Sequence, residues 1–383
     1  MNPFEFAAAG RVIFGRGVAS QLGALTAPLG RRVLLVHGAS AERAAPHFAR
    51  LRDAGCEVVS LAMAGEPTVE AARTGAEQAR AADCDVVVSV GGGSALDAGK
   101  AIAMLLGNGG DPLDYLEVVG RGQPIHRPSA PFIAVPTTAG PGAEVTRNAV
   151  LRSMEHGVKA SLRSPHMLPR VALVDPLLTL ELPPTVTAAT GLDALSQLIE
   201  PFLSHRANPL TDALCREGIP RSARSLVRAF EDGRDVDARE DLALASVFGG
   251  LALANAGLGA VHGFAAVLGG RLDAPHGALC AALLPGALAV NHRALTTREP
   301  ANAALPRFAE LGRLLGTDPT AAAAMAWLEA TCRRLRVPRL SSHGLASVDL
   351  PDLVAPSRAA SSMKGNPIAL TDAELLEILD AAL

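Results

Sequence analysis

Asp193 and Gln197 stand four residues apart in Gly191-Leu192-Asp193-Ala194-Leu195-Ser196-Gln197, a helical stretch, so they share one helix face. His262 lies in an apolar helical pattern, and His276 follows Asp273-Ala274-Pro275. A carboxylate with two imidazoles is a donor set that zinc or iron accepts. Taken singly, each histidine is more simply a core residue satisfied by a hydrogen bond. Spacing along the chain does not show that the donors converge.

A second chemical set lies earlier. Gly91-Gly92-Gly93-Ser94-Ala95-Leu96-Asp97-Ala98-Gly99-Lys100 follows a β-branched run and opens a helix. Glycines let backbone approach a ligand, and a helix start offers free N–H groups to a phosphate. Ser94 is expected to cap this helix, with Asp97 as its capping-box partner. The spacing satisfies neither a Walker A loop nor a GxGxxG fingerprint. At the next strand end sits Pro136-Thr137-Thr138-Ala139-Gly140-Pro141-Gly142, whose hydroxyls and glycines suit the same cofactor crevice or a plain capped loop.

These residues need elements to hold them. Val33–Val36, Glu57–Leu61, Asp85–Val90 and Pro131–Val135 read as buried strands separated by helices, the pattern of a parallel sheet covered on both faces. Beyond Asp175-Pro176 the chain reads as helix after helix: 186–204, 210–231, 239–255, 261–268, 278–289, 304–315 and 319–335, the last with Asp318 as expected N-cap. Two domains are expected, 1–181 and 182–383.

Composition narrows the function. Hydrophobic residues make up 49% and charged residues 19%, which excludes disorder. A net charge of -3 and only 12 aromatic residues argue against a nucleic-acid partner. Five cysteines without a CxxC pair suit a reducing compartment, and the start has no basic-then-apolar leader, so a cytoplasmic location is expected. The uncharged run Val247–Gly270 is long enough to span a bilayer, but its glycines, Asn255 and His262 favour a buried helix pair over a membrane partner.

Together with Thr137-Thr138-Ala139-Gly140-Pro141-Gly142-Ala143-Glu144-Val145-Thr146, Asn255-Ala256-Gly257-Leu258-Gly259-Ala260-Val261-His262-Gly263 and Leu272-Asp273-Ala274-Pro275-His276-Gly277, these motifs make the chain resemble the iron-containing (group III) alcohol dehydrogenase family over nearly its whole length. The resemblance implies an N-terminal α/β dinucleotide-binding domain, dehydroquinate synthase-like, followed by an all-helical domain that binds metal and substrate. It implies that Gly91, Gly92, Gly93 and Ser94 meet the pyrophosphate, that Thr137 and Thr138 line the cofactor site, and that Lys159 sits near a ribose. Asp193, Gln197, His262 and His276 occupy the four positions that bind Fe2+ or Zn2+ in the family. The implied activity is hydride transfer between NAD(P)(H) and a small alcohol or aldehyde, in a homo-oligomer, expected to be a dimer.

Departures from the family pattern are specific. Gln197 replaces a histidine, and an amide oxygen is a poorer donor than imidazole. Ala266 stands where a histidine implicated in proton movement is common, and Glu66-Pro67 replaces an Asn-Pro pair. Gly38 stands where NAD-preferring members carry Asp; its absence, with Arg43 nearby, favours NADPH or dual use. Two alternatives share the fold: a metal-independent, maleylacetate reductase-like enzyme, against which Asp193 counts, and an inactive nucleotide-binding relative.

Overall fold

A computed structural model describes residues 3–383. Two compact units divide them: an α/β unit of residues 7–138 and 142–179, and a helical unit of residues 180–383 with short segments 3–6 and 139–141.

The α/β unit holds β1 (Val12–Phe14), α1 (Leu22–Thr26), β2 (Arg32–Gly38), α2 (Ala41–Asp53), β3 (Glu57–Met63), α3 (Val69–Ala81) and β4 (Val86–Gly91). It continues with α4 (Gly93–Asn108), α5 (Pro112–Tyr115), β5 (Phe132–Pro136), a hairpin of β6 (Asn148–Ser153) and β7 (Val158–Arg163), and β8 (Val171–Val174). Six parallel strands form one sheet in the order β1-β8-β5-β4-β2-β3. The expected parallel α/β architecture is present. Strand order reverses between β2 and β4, the place where open α/β sheets bind ligands. The four anticipated strands are all there; β4 and β5 are buried along their whole length, whereas β3, at the sheet edge, is exposed or half-buried over all but its last residue.

β1 and β8 extend the sheet, and Asp175 fixes that edge by accepting from the backbone N–H groups of Gly17 at 3.0 Å and Ala19 at 3.1 Å. The β6–β7 hairpin alternates partly exposed and buried residues along β6, with its buried side chains against the sheet-covering core.

The helical unit comprises α6 (Pro184–Leu203), α7 (Pro209–Glu231), α8 (Val236–Ala256), α9 (Ala260–Arg271), α10 (His276–Arg298), α11 (Leu305–Leu314), α12 (Ala321–Arg334), α13 (Pro351–Ala359) and α14 (Asp372–Ala382). α6, α7 and α8 pack on one another, and α10 packs on α6. The anticipated helices are present, and α13 and α14 are two helices beyond them. Two caps differ from expectation. Thr320, not Asp318, caps α12 by accepting from the N–H of Ala323. The N-cap of α4 is Gly92, and Ser94 lies inside the first turn. The uncharged run 247–270 falls across α8 and α9, which bend by 98° at their junction. Among the described residues, α10 alone is long and apolar enough to cross a membrane, and 67% of its apolar window is buried inside the protein.

Candidate metal centre and cofactor turn

α6 is buried along nearly all of its second half, so polar residues there face protein rather than water. Asp193 and Gln197 sit on one face, and the Gln197 amide donates to Asp193 Oδ1 at 3.0 Å. His262, in the first turn of α9, brings Nε2 to 3.2 Å from the same Asp193 oxygen. His276 opens α10, its ring centroid 5.5 Å from that of His262. The structure therefore gathers all four sequence-identified residues into one cluster within the helical unit, with Asp193, Gln197 and His262 buried and His276 half-buried.

Two further members carry no signal in the motifs above. Glu200 lies one turn beyond Gln197 on α6, buried, and its Oε2 is 2.6 Å from His262 Nδ1. Its Oε1 accepts from the backbone N–H of Val261 at 2.7 Å. A lone glutamate in the apolar run Leu198-Ile199-Glu200-Pro201 was the available clue. Cys280, one turn after His276 on α10, is fully buried with Sγ 3.6 Å from His276 Nε2. The motif glycines make this approach possible. A Cβ on Gly259 would come within 2.9 Å of Glu200 Oε1 and 2.8 Å of Asn366 Oδ1. A Cβ on Gly277 would strike the backbone carbonyl of Ala189.

The electrostatics follow from this packing. Burial pushes the Asp193 carboxyl up, but the hydrogen bond from His262 and the neighbouring His276 outweigh it and hold it below the ordinary carboxylate range. Burial penalises charge on His262, yet Cys280, Asp193 and Glu200 together hold that imidazole well above its usual value. Burial likewise works against the Cys280 thiolate, and His262 and His276 overcome it, leaving the thiol below its normal value.

The residues fit a cation. Protonated, as its raised value favours, His262 donates to both Glu200 and Asp193, and a cation that replaced the Nε2 proton would meet a ring lone pair and an Asp193 oxygen 3.2 Å apart. Two acceptors that close require positive charge beside them, either a metal ion or a second proton. Gln197 Oε1 is buried beside them without a hydrogen-bond partner. A carboxylate beyond a histidine ligand is the usual way a metal site fixes the ring and its tautomer. Ala266, on α9, places no proton-carrying side chain at its position.

The glycine turn lies in the α/β unit. Gly91 ends β4 opposite Pro136 of β5, and the N–H of Thr137 donates to the Gly91 carbonyl at 2.9 Å. A Cβ on Gly92 would lie 3.3 Å from the Thr138 methyl, and one on Gly91 would lie 3.3 Å from the Gly38 nitrogen. Gly38, Gly91–Gly93, Thr137 and Thr138 thus border one place at the carboxyl ends of β2, β4 and β5. α4 starts there with no side chain capping it, which leaves its first N–H groups for an anion. Asp97, expected in a capping box, instead pairs with the buried Lys100 at 3.1 Å and accepts from the N–H of Val150. Lys159, on β7, forms an ion pair with Glu66 at 3.0 Å, so these two positions act on each other.

Known proteins of one family resemble the chain along most of its length. Residues 9–176 match the family described as iron-containing alcohol dehydrogenase, and residues 187–383 match the C-terminal part of the Fe-containing alcohol dehydrogenase family. The chain is 37% identical over 320 residues to alcohol dehydrogenase 4 of Schizosaccharomyces pombe, covering 83% of this chain and 73% of that protein. Its structure is similar to a crystal structure of 1,3-propanediol oxidoreductase, with a TM-score of 0.92, 33% identity and complete coverage of both chains. It is also similar to sulfoacetaldehyde reductase from Bifidobacterium kashiwanohense in complex with NAD+, with a TM-score of 0.87 and 28% identity, covering 100% of this chain and 99% of that one. The chain belongs to the iron-containing alcohol dehydrogenase family, NAD(P)- and divalent-metal-dependent oxidoreductases that act on CH–OH groups.

Proposed function

We propose that Asp193, Gln197, His262 and His276 hold the divalent cation, and that Gly91–Gly93, Ser94, Thr137, Thr138 and Lys159 hold the cofactor. The observation that carries the metal assignment is the 3.2 Å approach of His262 Nε2 to Asp193 Oδ1, with the far side of the ring fixed by Glu200. When bound, the cation supplies a Lewis acid for a carbonyl or alcohol oxygen, and the nicotinamide supplies the hydride. The chain's own residues do the positioning. Glu200 orients the His262 ring and Gln197 holds Asp193 in register. Gln197 adds its unpartnered Oε1 as a weak donor. Residues 1–181 serve as the dinucleotide-binding domain and 182–383 as the metal- and substrate-binding domain. A small alcohol–aldehyde pair, a cytoplasmic location and a homodimer complete the reading.

Cofactor choice follows from Gly38. No atom lies within 4 Å of where its Cβ would be, so the space that a ribose-binding carboxylate would fill is open. Arg43, in the first turn of α2, offers positive charge. Use of NADPH, or of both cofactors, is expected when initial rates are compared at equal concentrations. Gly38→Asp fits sterically and should shift the NADH/NADPH ratio of kcat/KM toward NADH by about tenfold or more, because the carboxylate bonds ribose hydroxyls and repels a 2′-phosphate. A wild-type enzyme strictly selective for NADH would overturn this reading.

A further inference from the structure

The helix that begins with His276 presents a second donor one turn later. Cys280 is fully buried, and the ligand atoms of Asp193, His262, His276 and Cys280 all lie within 4.8 Å of one another. The spacing can be compared with coordination geometry. Metal bonds of about 2.05 Å to nitrogen, about 2.1 Å to oxygen and about 2.3 Å to sulfur give tetrahedral edges of about 3.4 Å for a nitrogen–oxygen pair and about 3.6 Å for a nitrogen–sulfur pair. The structure has 3.2 Å between His262 Nε2 and Asp193 Oδ1, and 3.6 Å between His276 Nε2 and Cys280 Sγ. Two donor pairs therefore already stand at the separations that coordination to one cation requires.

Gln197 is less suited to the fourth place. Its nitrogen is engaged with Asp193 Oδ1, which ties the amide to the carboxylate, and a neutral amide oxygen is a weaker donor than a thiolate. We propose that Cys280 supplies a thiolate donor to the cation, the stronger partner beside the weak amide donor Gln197, which chiefly orients Asp193. The inference rests on the reading of Asp193, His262 and His276 as metal donors. On binding, the thiol gives up its proton to solvent and its sulfur lone pair goes to the metal. Two anionic donors then balance a dipositive ion, and the sulfur shifts selectivity toward thiophilic Fe2+, Co2+ and Zn2+ over Mn2+ and Mg2+.

The test is anaerobic loading of the full-length protein with Co2+. The wild type should take up one equivalent per chain and show intense near-ultraviolet thiolate-to-cobalt charge transfer together with visible ligand-field bands. Cys280→Ser should still bind cobalt, at least about tenfold more weakly, and lose only the charge-transfer band. Gln197→Ala should keep that band. Stoichiometric binding by the wild type without the sulfur band, or a band unchanged in Cys280→Ser, overturns the thiolate and leaves the centre standing. Failure of the wild type to bind stoichiometric cobalt overturns both.

Discussion

Glu200 acts on the proposed centre without belonging to the four sequence-identified donors. Its two oxygens are divided between the imidazole of His262 and the backbone of Val261, so one side chain sets both the ring and the start of the helix that carries it. Glu200→Gln keeps the shape but replaces a charged acceptor by a neutral one, lowering the basicity of the ring. Metal affinity should fall about 10- to 100-fold, with far-UV circular dichroism unchanged, as measured by competition with a chromophoric chelator. Equal affinities in the two proteins would make Glu200 a structural residue only. The residue types of Asp193, His262 and His276 made them readable from the sequence as candidate donors. Cys280 carries no such signal, and Glu200 shows only as a lone carboxylate in an apolar run, because a helix-buried carboxylate and thiol acquire meaning only from what another helix places opposite them.

At the scale of elements, α6, α9 and α10 must meet closely for these side chains to converge. Gly277 is where α10 approaches α6: a Cβ there would meet the Ala189 carbonyl and come within 3.3 Å of Asp193 Cβ. Gly277→Ala should destabilise the protein by about 1–3 kcal/mol through overpacking. It should also weaken metal binding, a joint loss that denaturant melts and metal titration detect. A stable variant with normal affinity would show that the helices part freely. Long helices and buried strands were legible because apolar runs reveal them. The β6–β7 hairpin was not, since its half-buried alternation sits between two loop-like stretches. β8 is only four residues long, and the caps of α4 and α12 depend on backbone geometry that a choice among nearby Ser, Thr and Asp residues does not reveal.

Glu144 bears on the stability of the whole molecule. Burial pushes its carboxyl up to about 7, against the opposing pull of a backbone hydrogen bond and of Lys100. The folded state thus holds this proton more tightly than the unfolded state, whose value is 4.5. Its contribution is fully present below about pH 4.5 and is lost as pH rises toward about 7, by about 3 kcal/mol in all. Glu144→Gln should remove that slope from the stability profile measured by urea unfolding between pH 4.5 and 7. Profiles that run parallel would mean that Glu144 ionises freely in the fold.

The metal centre is tested most directly by metal content and aldehyde reduction measured together on anaerobically purified protein. The wild type, supplied with Fe2+, should hold one ion per chain and reduce aldehydes with NAD(P)H. His262→Ala and His276→Ala should each lose the ion and the activity while remaining folded. Aldehyde reduction that survives complete chelation, or undiminished iron in both variants, would contradict the assignment.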